Sequence, residues 1–117
     1  MNAGMVSALG GLTAHLQRLA VNANNTANAN TDGFKKSRVI FEEGQVQGVQ
    51  TRIEQINSPG PLVNEETAQG EQPVEKSNVD FIEEITDLIT VKHGVAANIE
   101  TIKAEDKMLG SLLDIKA

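Results

Sequence analysis

Few residues in this chain have the types and spacing that chemistry needs. His15 and His93 are the only histidines. A metal site on a helix asks for a second ligand three or four residues on. His15 has Arg18 and Leu19 there, and His93 has Ala96 and Ala97; both read as surface histidines. Glu83, Glu84 and Asp87 crowd three carboxylates onto one stretch, a pattern that serves acid–base work or cation binding. No nucleophile and no further carboxylate loop accompanies them. They read as a solvated face, or as a contact for basic residues of a neighbouring chain such as Arg18 or Lys35. Asn24-Asn25-Thr26 fits the glycosylation sequon, a short pattern that carries little weight inside a helix. No catalytic residue, metal ligand or cofactor site is expected.

The elements that must position these residues are helical at both ends. Met5, Leu9, Leu12, Leu16, Leu19 and Ala23 recur at alternating spacings of four and three, which predicts one helical face with an a/d seam. Gly10 and Gly11 weaken this helix and lie beside the seam, where another helix could approach. An Asn-rich tract follows, with Asn22, Asn24, Asn25, Asn28 and Asn30. Asn competes for its own backbone, so the helix is expected to end near Asn28. Thr31-Asp32-Gly33 predicts a turn with Gly33 at positive φ, and Phe34 an apolar anchor. This is either a plain helix stop or a joint between helix and middle.

The last segment holds the clearest element. Ser77 or Asn78 is the expected cap, with Asp80 in the first turn. Ile85, Leu88, Val95, Ile99, Ile102, Leu109 and Leu113 fall on a 3/4 alternation interrupted by Lys92 and Asp106, over a helix of about 50 Å. Gly94, beside Val95, is either a tolerated weak point or a place of close helix approach. Between the helices the pattern is weak. Arg38–Phe41 and Val49–Ile53 suggest short strands, Ser58-Pro59-Gly60-Pro61 a turn, and Asn64–Ser77 an exposed acidic loop. The expected organisation is therefore residues 1–36 as an N-terminal helix with its Asn-rich end, 37–76 as a short middle of β and loop character, and 77–117 as a long C-terminal helix. The fold class is mainly α: two long terminal helices in a coiled-coil-like pair, joined by a short middle with minor β-structure and loops.

Composition agrees with a thin core. Only Phe34, Phe41 and Phe81 are aromatic, and there is no Trp, Tyr or Cys. Large rings usually supply much of a compact core; Leu, Ile, Val and Ala must fill this one. Disulfides and thiolate metal sites are excluded. The net charge of -6 is unevenly spread. Residues 1–40 carry four basic groups against Asp32, while 77–117 carry eight acids against four lysines. Opposite charge favours pairing of the ends, within or between chains. An acidic chain without a basic stripe argues against nucleic acid as a partner. The N-terminus lacks the pattern of a cleaved signal peptide, and no apolar run approaches a membrane span. Helices this long, with so small a middle, cannot bury their seams in one hairpin. The excess calls for partner chains.

Two stretches carry a resemblance. Asn24-Asn25-Thr26-Ala27-Asn28-Ala29-Asn30-Thr31-Asp32-Gly33-Phe34-Lys35 resembles the N-terminal signature of bacterial flagellar rod, hook and hook-associated proteins. Ser77-Asn78-Val79-Asp80, Glu83-Glu84-Ile85 and Met108 to Lys116 resemble the C-terminal helix of the same family. The resemblance covers roughly residues 3–40 and 77–117. It implies a structural subunit of the basal-body rod that polymerises through its terminal helices into the axial drive shaft for motility. It also implies export through the flagellar type III apparatus without a cleaved signal, a place in the periplasm-spanning rod, and copies of itself and other rod proteins as partners. The short middle is most like a proximal rod protein; a distal rod or hook-junction component, or a soluble coiled-coil adaptor of the export apparatus, are the alternatives. Thr26 stands where the family usually has Ile, and Gly94-Val95 where a small residue and an aromatic are common. The residues implied in assembly are the two leucine-rich seams (Leu9, Leu12, Leu16, Leu19 and Ile85, Leu88, Val95, Ile99, Ile102, Leu109, Leu113), the asparagines Asn24, Asn25, Asn28 and Asn30, and the Gly33-Phe34 joint.

Overall fold

The computed structural model describes residues 2–45 and 48–116. Met1 and Ala117 of the outer expected segments, and Val46 and Gln47 of the middle one, lie outside these. Helix α1 spans Ala3–Ala27. Asn2 caps it, its side chain accepting from the Met5 N–H at 2.8 Å. It stops at Asn28, whose N–H is shared between the Asn24 and Asn25 carbonyls and whose side chain donates to the Asn24 carbonyl at 2.9 Å. The Asn side chain thus adds a second donor to a carbonyl in the last turn of the helix. The chain then turns at Gly33, φ 72°, whose N–H reaches the Glu75 carbonyl at 2.9 Å.

Strands β1 (Ser37–Glu43) and β2 (Val49–Gln55) form an antiparallel pair, in register Ser37↔Gln55 through Glu43↔Val49. Strands β3 (Leu62–Thr67) and β4 (Gly70–Glu75) form a second one, Leu62↔Glu75 through Thr67↔Gly70. Helix α2 then runs from Phe81 to Lys116. Its cap is Asp80, which accepts from the Ile82 N–H at 2.9 Å, rather than Ser77 or Asn78. α2 packs antiparallel along α1, and β1–β2 lies along α1. β3–β4 stands clear of both helices. The molecule is a rod of 81 × 25 × 18 Å.

The expected fold class needs correction. The middle is not minor β-structure with loops: two hairpins occupy it, and 23% of the described residues are strand against 54% helix. The acidic stretch expected as a loop is the β3–β4 hairpin. Because it packs on nothing, neither face had to be apolar, and no alternation marked it. Its tight end is held by Thr67, which donates its hydroxyl to the Gly70 carbonyl at 2.8 Å, with Gly70 at φ 103°. Its base closes where Gly60 passes the Lys76 carbonyl so closely that a Cβ would overlap it.

Candidate functional site

The helices do not meet along their leucines. Each is rotated by about one residue from the apolar seam that its sequence displays. α1 turns Gly4, Gly11, His15, Arg18, Asn22 and Asn25 toward α2, again at 4/3 alternation. α2 answers with Glu84, Asp87, Gly94, Asn98 and Glu105. The pairs are explicit. Asn2 donates to Glu105 at 2.7 Å. Gly11 leaves no room for a Cβ against Asn98, and Gly94 none against the His15 ring. Arg18 holds Asp87 with two hydrogen bonds, one from Nε at 3.1 Å. Among the described residues the buried apolar set is Ala8, Ala14 and Val91.

Asn22, Asn25 and Glu84 form the buried centre of this contact. The Asn22 amide donates to the Glu84 carbonyl at 2.7 Å and to its carboxylate at 2.8 Å. Asn25 donates to the other carboxylate oxygen at 3.1 Å. The same Asn25 amide accepts from the Ser37 N–H at 3.0 Å and donates to the Ser37 carbonyl at 2.7 Å. It serves the start of β1 as a strand neighbour would. Asn78 does likewise one layer on, accepting from the Lys36 N–H at 2.7 Å and donating to the Ile56 and Ser58 carbonyls at 2.8 and 3.0 Å. Around them Lys36 pairs with Glu83, Lys35 with Glu75, and Lys76 with Asp32 and Glu65. A polar seam of this kind contributes little net stability but admits one register, since a slip would leave buried polar groups unpaired.

Burial pushes the Glu84 carboxyl above the ordinary glutamate range; the Asn25 hydrogen bond opposes this, and the nearby Asp87 and Glu83 charges reinforce it. A raised folded-state pKa means that the folded chain holds the proton more tightly than the unfolded chain. Stability from this group therefore falls as pH rises through the window just above 4.5, the usual value. Wild type should gain stability relative to Glu84→Gln as pH drops into that window. Urea unfolding of both chains at several pH values reads this; a difference independent of pH would contradict it.

His15 and Gly94 show close approach in place of a tolerated weak point. His15 is not a surface residue: its ring sits edge-on to Phe41 of β1, centroids 5.1 Å apart, and its Nδ1 is buried without a partner. Arg18 lies over the other part of the same Phe41, 5.7 Å from its centroid. Gly94→Ala should thus lower thermal stability by about 1–2 kcal/mol, displacement of the ring outweighing the gain of about 1 kcal/mol in helix propensity. Adding His15→Ala should recover much of the loss.

With polar groups facing inward, the apolar stripes lie side by side on the flank opposite β1–β2. Leu9, Leu16, Ile85, Leu88, Ile99, Leu109 and Leu113 are exposed; Leu16 is 48% and Ile85 56% accessible. Leu12, Leu19, Val95 and Ile102 are half-buried at the edge of the seam. Leu19, Ala23 and Ala27 of α1 and Phe81, Ile85 and Leu88 of α2 line one groove of about 440 Å³. The Asn tract separates by role. Asn25 is buried, Asn28 ends α1, and Asn24 and Asn30 are exposed. Gly33 is exposed, and Phe34 is half-buried, with its carbonyl accepting from the Asn78 N–H at 3.2 Å. The acidic cluster divides: Glu84 is buried, Asp87 is half-buried against Arg18, and Glu83 is exposed while pairing with Lys36. Asn22, Asn78 and Gly60 were not among the expected site residues. Asn22 does share the 4/3 spacing of Arg18 and Asn25, a polar seam one residue out of step with the leucines.

Comparison with known proteins places both ends of the chain in one family. Residues 5–35 match the family described as flagella basal body rod protein, and residues 71–115 match the flagellar basal body rod FlgEFG protein C-terminal family. The chain is similar to the flagellar hook protein FlgE of Treponema pallidum (strain Nichols), 32% identical over 88 residues, 75% of this chain. It spans 18% of that protein's length.

Proposed function

Since this chain belongs to the flagellar basal body rod and hook family of structural proteins, we propose that it is a subunit of the basal-body rod. It polymerises through its terminal helices into the axial shaft, in the company of other rod proteins, after passage through the flagellar type III export apparatus. The observation that carries this reading is the apolar strip along both helices. Much of it is exposed, with Leu12, Leu19, Val95 and Ile102 half-buried at its edge, while polar residues occupy the contact between the helices. Among the described residues the buried apolar set is three small side chains, a thin core for a chain of this length; association buries leucines that the fold leaves exposed. Only residues 36–70 lie between the two family matches, and they hold little beyond β1–β2 and part of β3–β4. That small middle supports a proximal rod position over a hook-like one carrying larger inserted domains.

The likeness to a hook protein favours one second reading, a component at the distal rod or hook junction. A soluble adaptor of the export apparatus stands apart from both. Sedimentation of the purified chain separates these classes. A rod or junction subunit should form species that grow with concentration, and an adaptor should hold one stoichiometry. Gly33→Val should impair assembly while sparing synthesis and export. At φ 72° a β-branched residue is strained, and the Gly33–Glu75 hydrogen bond that joins α1 to β4 weakens with it. Normal assembly of this variant would remove the joint from the account.

A further inference from the structure

The apolar stripe of α2 does not end where α1 does. Among the described residues, the start of α1 meets α2 where Asn2 donates to Glu105. Beyond it α2 continues to Lys116, about 16 Å further at 1.5 Å per residue. Among the described residues, 106–115 are all exposed. Met108, Leu112 and Leu113 are 53, 62 and 69% accessible. At the opposite end of the pair lies the groove between Leu19, Ala23 and Ala27 of α1 and Phe81, Ile85 and Leu88 of α2. Its α1 wall is low where Ala23 and Ala27 stand, and its length from Leu19 to Ala27 is about 12 Å.

We propose that the free end of α2 from one copy of this chain seats in the Ala23–Ile85 groove of the next, as the axial contact of the polymer. This rests on the structural reading above and names the surfaces that carry it. Three features of the molecule select a second copy as occupant. The free end matches the groove in length and in apolar character. The two surfaces sit at opposite ends of one straight helix, in a molecule 81 Å long, so they cannot meet within a chain. Copies related by simple translation also bring the C-terminal, negative end of one α2 beside the N-terminal, positive end of the next, a favourable arrangement of helix dipoles. The inserted helix runs parallel to the α2 wall and antiparallel to the α1 wall. Each junction is thus a three-helix cluster that buries leucines from both partners. A contact between different surfaces does not close on itself; repeated, it yields an open strand. The offset from Ile85 to Ser111 along α2 sets an axial repeat of about 40 Å.

The chain has no cysteine, so disulfide trapping is clean. In Ala23→Cys/Leu112→Cys, oxidised under assembling conditions, non-reducing electrophoresis should show a ladder of multiples. Each single variant should stop at a dimer. Strands imaged by electron microscopy should repeat every 40 Å or so. Assemblies of the double variant that sediment as large species yet give no ladder would overturn the docking while leaving polymerisation intact. A chain that stays at one fixed stoichiometry and gives no ladder would overturn the docking and the rod reading together.

Discussion

Asn25→Ala should lower the stability of the chain by about 3 kcal/mol, the largest effect expected of any single truncation in the Asn tract. The residue is buried, and it bonds both backbone groups of Ser37 and one oxygen of Glu84. Truncation removes the side-chain partner of each of these groups, and each buried group left unpaired costs about 1–3 kcal/mol. The loss also frees the start of β1 from α1, so thermal unfolding should begin earlier and broaden. Asn24→Ala is the control. Asn24 is exposed, its carbonyl, which accepts from Asn28, survives the change, and the effect should stay within about 0.5 kcal/mol. Equal losses at the two positions would show that the tract acts through helix propensity rather than through the buried network.

Leu16→Asp/Leu88→Asp should abolish self-association while leaving the fold unchanged. Both side chains are exposed, at 48 and 43%, so a charge meets water in the monomer. In an assembly the same charges lie within an apolar contact and would have to be desolvated. Two leucines removed from such a contact cost about 3–6 kcal/mol, a loss of at least a hundredfold in association. Circular dichroism should be unchanged and sedimentation should report monomer. Val91→Asp gives the contrast: Val91 is 1% exposed, so that variant should unfold. A double leucine variant that still assembles would move the interface away from this strip.

The helices were legible because a 3/4 repeat of leucine and isoleucine is a strong periodic signal, and the end of α1 because Asn28 bonds its own backbone. The face that each helix turns inward was not legible by the same logic. Hydrophobic periodicity reports where an apolar surface exists, and ordinarily a chain buries it against itself. Here the stripe of Ile85, Leu88 and Ile99 is kept for other contacts, and the chain folds on a second periodicity, Gly4, Gly11, His15, Arg18, Asn22, Asn25, made of small and polar residues. His15 illustrates the difference. Without metal-ligand spacing it reads as a surface group, yet Gly94 opens a slot for its ring. The β3–β4 hairpin was hidden because Val63↔Val74 is its one apolar cross-strand pair, and Pro73 inside a short acidic run argues for a loop. Its existence depends on closure at the base, by Gly60 against Lys76 and by the Lys35–Glu75 pair, contacts between residues far apart in sequence.

The central claim, that this chain is a structural part of the rod, is tested most directly by electron microscopy of basal bodies from a strain lacking the gene, alongside a swimming assay. The account predicts loss of motility with membrane rings present and the rod missing or cut short, the point of truncation marking the subunit's place. Intact basal bodies and normal swimming, in a strain with no duplicate of the gene, would contradict it.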